Sequence, residues 1–160
     1  INYTGVDNND YMMIEAIMRY PKTKFLSLDI IGNVEKIEGT FDLVAVFGLT
    51  HHIPGVDFRL KWFESVLNKV NKGGIIIFTF WNLHTDRRFG KAEKADDLEK
   101  NDYYYGWGDS EDKRYVHIYD VDEIEKLTQL FKERGFKMLS TFDADGKNKM
   151  MNTYLILQAT

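Results

Sequence analysis

The sequence of 160 residues contains no cysteine, only two prolines and no apolar run long enough to cross a membrane. The absence of cysteine excludes disulfides and cysteine-ligated metal sites, and it fits a reducing compartment. We therefore expect a soluble, cytoplasmic protein with no membrane partner. Apolar residues make up 44% of the chain, which is enough for one domain with a hydrophobic core over residues 1–160.

Positive charge is also scarce, because 21 Lys and Arg stand against 25 Asp and Glu, a net charge of −4. This balance argues against broad coating of nucleic acid, although it is compatible with a local basic patch. The chain begins with isoleucine rather than methionine, and residues 3–6 already have the pattern of a strand. We expect that a further segment of the native protein precedes residue 1.

A nearly continuous apolar run at residues 43–47 ends in Gly48 and two adjacent histidines, His51 and His52. Such a run is typical of a central parallel strand that is covered by helices on both faces. Ligands of open parallel sheets bind just beyond the carboxyl ends of these strands. Residues 48–52 occupy that position.

Acidic residues follow two earlier predicted strands. Asp7 follows a strand at residues 3–6, and Asp29 follows a strand at residues 24–28. A carboxylate at such a strand end accepts hydrogen bonds from the ribose hydroxyls of a nucleotide. A helix cap at Asp7 and a turn at Asp29 are the alternatives, and the residues alone do not decide between them.

Regular patterns fill most of the remaining chain. We expect helices at residues 10–20, with an Ile14, Ile17 and Met18 core stripe, and at residues 57–70. A second apolar strand is expected at 75–80, and a helix is expected from Asp120 with a capping box to Glu123. An antiparallel hairpin at 136–142 and 154–159 should place its last strand beside residues 75–80. The order indicates an α/β, doubly wound, mostly parallel Rossmann-like sheet with a C-terminal antiparallel hairpin.

Residues 83–113 carry charges and aromatic residues without a clear period. A basic cluster runs from Arg87 to Lys94, and an aromatic cluster runs from Tyr103 to Trp107. A connection longer than about 15 residues within a compact domain is usually a lid or a binding loop. We interpret this segment as a substrate-covering insertion, with a surface excursion as the alternative, and expect regular structure to resume at Asp120.

Arg114 and His117 are candidates for positioning an anionic substrate. A guanidinium group offers a planar fork that matches a carboxylate or a phosphate, and imidazole adds a shorter hydrogen bond. The alternative for Arg114 is a surface ion pair with Asp112 or Glu111. His51 and His52 are more often structural, and we expect no metal site, because only two other histidines remain as ligands.

Several motifs follow one another in a recognisable order. They are Gly5-Val6-Asp7, Asp29, FDLVAVFGLTHHIP at 41–54, KVNKGGIIIFTFWN at 69–82 and ERGFK at 133–137. In this order they resemble the class I S-adenosylmethionine-dependent methyltransferases over almost the whole chain. A narrower likeness joins WGD at 107–109 and RYVHIYDVDEIEKL at 114–127 to the tRNA wobble-uridine carboxymethyl methyltransferases and their small bacterial relatives.

The resemblance implies a role for individual residues. Asp7 with Asn8 would hold the ribose of the cofactor, Asp29 with Ile30 its adenine, and Phe47 with Gly48 its amino-acid end. The implied substrate-binding residues are His52, Asn82, Tyr105, Trp107, Arg114, Tyr115 and His117. The family's first strand and glycine-rich turn have no counterpart here, so we expect weak cofactor binding by these 160 residues alone.

The resemblance also implies an enzyme that transfers a methyl group from S-adenosylmethionine to a carboxymethyl group on a tRNA wobble uridine, with a small activating protein as a possible partner. Two other readings stay open: a small-molecule methyltransferase, and a non-catalytic subunit of the same fold that activates a partner. A dinucleotide-binding dehydrogenase is disfavoured, because its hydride-transfer residues are not recognisable and the predicted terminal hairpin is antiparallel.

Overall fold

The computed structural model describes residues 1–82, 90, 92–106 and 112–160, and the chain forms two compact units, Ile1–Gly39 and Thr40–Thr160. The first unit contains β1 (Thr4–Asp7), α1 (Asp10–Arg19), β2 (Lys24–Ser27) and a 3₁₀ turn at Val34–Lys36. β1 and β2 are parallel neighbours, with Asp7 opposite Ser27. The predicted order of strand, helix and parallel strand is confirmed for this unit.

The second unit holds two sheets. Its described elements are β3 (Phe41–Val46), a 3₁₀ turn (Thr50–His52), α2 (Val56–Leu67), β4 (Val70–Trp81), β5 (Ala92–Glu93), β6 (Asp102–Gly106), β7 (Lys113–His117), α3 (Val121–Glu133), β8 (Phe136–Ala144) and β9 (Asn152–Ala159). β3, β4, β9 and β8 form one mixed sheet in that order, with β3 parallel to β4. β9 runs antiparallel to both of its neighbours. The predicted α/β Rossmann-like class and the insertion of the last strand beside residues 75–80 are confirmed.

α3 begins where the sequence pattern predicts. The side chain of Asp120 accepts a hydrogen bond from the backbone N–H of Glu123 at 2.9 Å, and the Glu123 side chain bonds back to the N–H of Asp120. This reciprocal box satisfies two backbone donors that a helix otherwise leaves unpaired. The cap therefore fixes the start of α3, and Leu127 and Phe131 are buried on its inner face.

The core of the second unit is largely aromatic. Phe63 of α2 meets Phe78 of β4 edge to face with ring centroids 5.2 Å apart, and Phe131 of α3 stacks on Phe78 at 5.5 Å. All three side chains have no exposed surface. Offset and edge-to-face contacts of this kind stabilise a core beyond the burial of their area. They fix α2 and α3 against β4.

The predicted core stripe of α1 is wrong. Met13 is buried at 6% exposure, whereas Ile14, Ile17 and Met18 are 58%, 49% and 76% exposed. The 3.6-residue period identifies residues that share a face, but a face is buried only where another element packs against it. α1 contacts β1 and β2 of its own unit, and those contacts cover Met13.

The prediction that β3 is buried on both faces is also wrong. In its sheet β3 pairs with β4 and lies at the edge, and Leu43 is 59% exposed while Val46 is buried. An apolar run shows that a strand is suited to burial, but it does not show whether other elements cover the strand. The composition of β3 therefore does not predict its burial here.

Regular structure also occurs earlier than Asp120, because β5, β6 and β7 form a three-stranded antiparallel sheet. Tyr105 of β6 lies opposite Arg114 of β7, and Asp102 lies opposite His117. Aromatic residues are favourable in strands, which explains why the tyrosine cluster forms β6. No helix in the described ranges is both long and apolar enough to span a bilayer.

Candidate functional site

A cavity of about 300 Å³ lies in the second unit, at the carboxyl ends of β3 and β4. Its walls come from the turn after β3, the end of β4, the strands β6 and β7, and the start of β9. The lining residues are Gly48, His51, His52, Trp81, Tyr105, Arg114, Val116, Met151 and Asn152. Gly48, His52, Tyr105 and Arg114 were predicted as site residues, and the structure brings them together here.

Thr79 of β4 holds the turn that follows β3. The N–H of Gly48 donates to the Thr79 hydroxyl at 3.0 Å, and the Thr50 hydroxyl donates to the Thr79 carbonyl at 2.7 Å. Gly48 has φ of 63°, and a Cβ placed on it would meet nothing within 4 Å. A left-handed conformation favours glycine, and the open space beside it allows a ligand to approach the backbone.

His51 forms one wall of the cavity together with Trp81. The two rings stack with centroids 3.9 Å apart and an angle of 7° between their planes, and His51 is 3% exposed. Burial, with the neighbouring His52 acting in the same direction, lowers the pKa of His51 to about 2. His51 is therefore a neutral, flat surface at neutral pH.

His52 ties the turn to β7, in agreement with a structural role. Its Nδ1 lies 3.2 Å from the carbonyl oxygen of Tyr115, so Nδ1 carries the proton and donates it to that oxygen. Burial lowers the pKa of His52, and although the bond to Tyr115 opposes this shift, the charge of Arg114 reinforces it. His52 consequently presents a neutral ring to the cavity.

Arg114 supplies the cavity with a positive charge. It lies on β7 opposite Tyr105 of β6, and it is exposed. No ion pair or hydrogen bond of its side chain is found among the described residues, and Glu111, one of its two predicted alternative partners, lies outside those ranges. The guanidinium offers a planar fork at the wall of the cavity.

His117 belongs to a different site. It has no exposed surface, its Nδ1 lies 2.6 Å from Oδ1 of Asp102, and its Nε2 lies 3.1 Å from Oε1 of Glu123. Oδ1 of Asp102 is also 3.8 Å from Nη1 of Arg59, which is 4% exposed. Burial acts against protonation, but the hydrogen bond to Asp102 and the nearby Glu123 carboxylate outweigh it and raise the pKa of His117.

The structure therefore does not bring His117 to Arg114, contrary to the sequence interpretation. Side chains alternate between the two faces of a strand, so residues 114 and 116 share one face of β7 and residues 115 and 117 share the other. Arg114 and Val116 line the cavity, whereas the Tyr115 hydroxyl accepts a hydrogen bond from buried Arg59 at 3.0 Å. The side chains of Tyr115 and His117 hold β7 in place.

Asn152, the first residue of β9, lies opposite Trp81 in the sheet and is 9% exposed. Its Nδ2 donates to Oδ2 of Asp145 at 2.8 Å, and the Tyr154 hydroxyl donates to the same oxygen at 2.8 Å. These two hydrogen bonds lower the pKa of Asp145. An ionised carboxylate accepts but cannot donate, so it fixes the Asn152 amide with Nδ2 toward Asp145.

The two acids predicted as cofactor ligands lie in the first unit. Oδ1 of Asp7 accepts the N–H of Asn9 at 2.8 Å, and Oδ1 of Asp29 accepts the N–H of Ile31 at 3.1 Å. Because β1 and β2 are parallel neighbours, Asp7 at the end of β1 and Asp29 just after β2 belong to the same edge of this strand pair. Each carboxylate keeps a second oxygen, so the local turns do not exclude a ligand.

The remaining predicted site residues differ in their exposure and in their contacts. Asn8 is exposed and Ile30 is half-buried. Phe47 is 58% exposed, and its ring centroid lies 6.2 Å from that of Tyr154. Asn82 donates its backbone N–H to the carbonyl of Met151 at 2.9 Å without lining the cavity. Trp107, His84 and the basic residues 87, 88 and 91 lie outside the described residues.

Sequence reasoning missed the other walls of the cavity: Trp81, Val116, Met151 and Asn152. The alternation within KRYVH could have assigned Val116 to the face of Arg114. The pairing of β9 with β4 was predicted, but the predicted last strand began at residue 154, so the sequence interpretation did not place Met151 and Asn152 beside Trp81. Over the described ranges, no group of three His, Asp or Glu side chains could hold a metal ion.

Comparison with solved structures identifies the fold. A methyltransferase from Clostridium acetobutylicum described as S-adenosylmethionine-dependent is 18% identical, with a TM-score of 0.71 over 99% of this chain and 75% of that chain. A protein from Methanosarcina mazei with the same description is 13% identical, with a TM-score of 0.72 over 98% and 81% of the two chains. The 1,6-didemethyltoxoflavin-N1-methyltransferase of Burkholderia thailandensis is 12% identical, with a TM-score of 0.65 over 99% and 61%.

These likenesses show that the chain has the fold of class I S-adenosylmethionine-dependent methyltransferases. No protein-family model matches the sequence, and no curated protein matches it significantly. Because sequence identity is low and a fold can host many activities, function has to be argued from the site.

Proposed function

We propose that this protein transfers a methyl group from S-adenosylmethionine to an acceptor that carries a carboxylate. The observation that supports this proposal is the position of the Arg114 guanidinium, in the wall of a cavity that lies beyond the carboxyl ends of parallel strands in a methyltransferase fold. Ligands of such sheets bind at this edge. The planar fork of a guanidinium is a group that suits a carboxylate.

Each of the two units, taken by itself, has residues that fit a part of the implied cofactor. In the first unit, Asp7 with Asn8 would accept the ribose hydroxyls, and Asp29 with Ile30 would face the adenine. Each of the two carboxylates keeps one oxygen beyond its local turn. In the second unit, the open backbone at Gly48 and the exposed ring of Phe47 would receive the amino-acid end.

The bound cofactor supplies an electrophilic methyl group, so the protein mainly has to align the acceptor with it. A carboxylic acid has an ordinary pKa of about 4 and is ionised at neutral pH, so the acceptor needs no base. Arg114 would hold one edge of the acceptor, and Trp81, Tyr105 and the neutral rings of His51 and His52 would exclude water around it.

The finer proposal is a carboxymethyl group on a tRNA wobble uridine. Single-stranded RNA bases are recognised by stacking on aromatic side chains, and the cavity has aromatic walls at Trp81 and Tyr105. A small-molecule acceptor is the second candidate, because the cavity of about 300 Å³ lies at the lower end of the range for small-molecule sites. The Burkholderia thailandensis neighbour was solved with its small acceptor, 1,6-didemethyltoxoflavin.

Transfer of a labelled methyl group tests the proposal. Arg114→Lys should lower turnover about 10-fold or more on 5-carboxymethyluridine, free or in tRNA, because lysine keeps the charge but loses the fork. The affinity for S-adenosylhomocysteine, measured by calorimetry, should stay the same. Asp7→Ala, in contrast, should weaken the affinity for S-adenosylhomocysteine about 10-fold, because the ribose loses a hydrogen bond to a charged group.

Lys113→Arg is the matched control, since Lys113 is the neighbour of Arg114 and pairs with Glu93 at 2.6 Å instead. It should leave both measurements unchanged. Equal turnover of the wild type and Arg114→Lys on every carboxylate acceptor would contradict the role of Arg114. A wild type that methylates only uncharged acceptors would reject the carboxylate as the acceptor group.

A further inference from the structure

A buried group of charged and polar side chains supports β7 on the face opposite to the cavity. His117 has no exposed surface, and its Nδ1 lies 2.6 Å from Oδ1 of Asp102 on β6. Its Nε2 lies 3.1 Å from Oε1 of Glu123 on α3, close enough for an ion pair but without the alignment of a hydrogen bond. The ring is therefore held between carboxylates that belong to two different elements.

The two contacts of the His117 ring depend on its proton. A neutral imidazole has one N–H, and the short contact at Nδ1 directs that N–H to Asp102. Nε2 would then face Oε1 of Glu123 as one acceptor facing another, and the two atoms would repel each other. A second proton on the ring turns the same contact into an attraction, which is strong because the ring is buried. Loss of that proton therefore pushes His117 and Glu123 apart.

The charged groups around the ring are balanced only when His117 is protonated. Nη1 of Arg59 on α2 lies 3.8 Å from Oδ1 of Asp102 and is 4% exposed, and the Tyr115 hydroxyl forms a hydrogen bond with Asp102. The Tyr119 ring, which is uncharged, meets the His117 ring edge to face at 4.4 Å. One guanidinium and two carboxylates leave a single negative charge, which a proton on His117 neutralises. Burial alone would lower the pKa of His117, but the two carboxylates outweigh burial and raise it.

β7 transmits a change at His117 to the cavity. Within the described ranges β7 pairs only with β6 and lies at the end of that sheet. The carbonyl of Tyr115 accepts a hydrogen bond from His52, and the pair of His117 and Glu123 adds a link from β7 to α3. β7 has only five residues, and a short strand moves largely as one body. A shift at His117 therefore displaces Arg114 in the cavity wall.

We infer that His117 is a positioning residue whose proton controls how tightly the acceptor binds. With the proton in place, the two carboxylates hold β7 so that the Arg114 guanidinium receives the carboxylate of the acceptor. When the proton leaves, repulsion between His117 and Glu123 shifts β7, and the acceptor binds more weakly. The inference rests on the proposed function and adds a dependence on pH. The acceptor itself does not supply one, because a carboxylate with an ordinary pKa of about 4 stays ionised at neutral pH.

Nuclear magnetic resonance of the whole chain measures this coupling without a ligand. The ring signals of His117 and the Cζ signal of Arg114 are followed together from about pH 6 to pH 9, where ordinary carboxylates and guanidinium groups do not titrate. We expect the Arg114 signal to change with the same midpoint as the His117 ring. Glu123→Gln removes the repelling charge, so both midpoints should move to lower pH together. Glu125→Gln, at an exposed site on α3, should move neither.

Calorimetry with phenylacetate, a flat carboxylate, measures the consequence for the cavity in the presence of S-adenosylhomocysteine. Its affinity should fall about 5-fold or more as His117 loses its proton, the lower end of the range for coupled sites. By the same linkage, bound phenylacetate should raise the pKa of His117. Phenylacetamide has the same ring without the charge and should show neither effect. His117→Gln should bind phenylacetate with an affinity that does not depend on pH.

An Arg114 signal that stays constant while His117 titrates would overturn the inference, and so would a His117 ring that does not titrate in this range. An equal pH dependence for phenylacetamide would also overturn it, because the effect would then not pass through the guanidinium. The proposed function would survive each result if Arg114→Lys still weakened the binding of phenylacetate. Coupled signals in a protein that does not bind phenylacetate at millimolar concentration would support the positioning of Arg114 by His117 but reject the carboxylate site of the proposed function.

Discussion

His51 and His117 are two buried histidines of the same unit with opposite behaviour. His51 is 3% exposed against the Trp81 ring, and burial lowers its pKa to about 2. His117 is fully buried as well, yet its pKa is raised, because Asp102 lies 2.6 Å and Glu123 3.1 Å away. Burial alone thus does not determine the direction in which the pKa of a histidine shifts, because neighbouring carboxylates can reverse it.

The two histidines have different roles: His51 lines the cavity, whereas His117 stabilises the packing of β7. A neutral imidazole can line a cavity without competing with Arg114 for an anion. The imidazole of His117 lies between two carboxylates and instead joins β7 to β6 and to α3, since Asp102 lies on β6 and Glu123 on α3. We therefore expect variants of His51 and variants of the group formed by Asp102, His117 and Glu123 to change the stability of the protein by different amounts and with different pH dependence.

The largest effect is expected for Asp102→Ala. This change leaves the buried charge of Arg59 and the buried imidazole of His117 without their shared carboxylate, and removal of one member of a buried pair costs about 3–5 kcal/mol. The free energy of unfolding in urea should fall by that amount. Asp97→Ala, at an exposed aspartate, is the control. A loss for Asp102→Ala as small as that of Asp97→Ala would show that the cluster does not support the fold.

A smaller effect is expected from the titration of His51. Because its folded pKa lies below its unfolded value of about 6.5, the unfolded state binds the proton first, and stability falls as the pH falls below 6.5. Between pH 7.5 and 5 this group should remove about 2 kcal/mol. His51→Phe keeps a stacking ring without a titrating group, so its unfolding free energy should decline less over that range. Parallel profiles for variant and wild type would contradict the lowered pKa.

The smallest effect is expected for Glu123→Gln. Glutamine can keep the capping box but removes a charge beside His117, so the pKa of His117 should fall, as followed by NMR titration. A raised histidine pKa stabilises the fold below about 6.5, and this stabilisation is lost as the pH rises through the folded value.

At pH 5.5 Glu123→Gln should therefore lower stability by less than about 1 kcal/mol, and by less still at pH 8.5. Glu125→Gln, at an exposed site on the same helix, is its control. An unchanged His117 titration in Glu123→Gln would exclude the carboxylate as a cause of the raised pKa.

Local signals predicted several of these features. The capping box at Asp120 and Glu123 fixed the start of α3, and the apolar run before Trp81 predicted β4. The acids after β1 and β2 were correctly placed at one edge of a parallel pair. Each of these features depends on residues close together in sequence, and a single period or cap is enough to identify it.

The missed features depend on partners distant in sequence. Asp102 lies in a segment interpreted as a loop, so its hydrogen bond to His117 had no local signal. The exposure of Leu43 reflects how much of its face of β3 other elements cover, which the composition of the strand does not encode. The opposite faces of Arg114 and His117, in contrast, were available from strand alternation once KRYVH was assigned to a strand.

The central position of β9 has a consequence for biosynthesis. β9 pairs with β4 on one side and with β8 on the other, and Leu155 and Leu157 are completely buried. A ribosome makes β4 long before β9, so the nascent chain carries an apolar strand with an unpaired edge until residues 152–159 emerge. The mixed sheet of the second unit can therefore close only after those residues are made, and a chaperone that shields β4 would act during this interval.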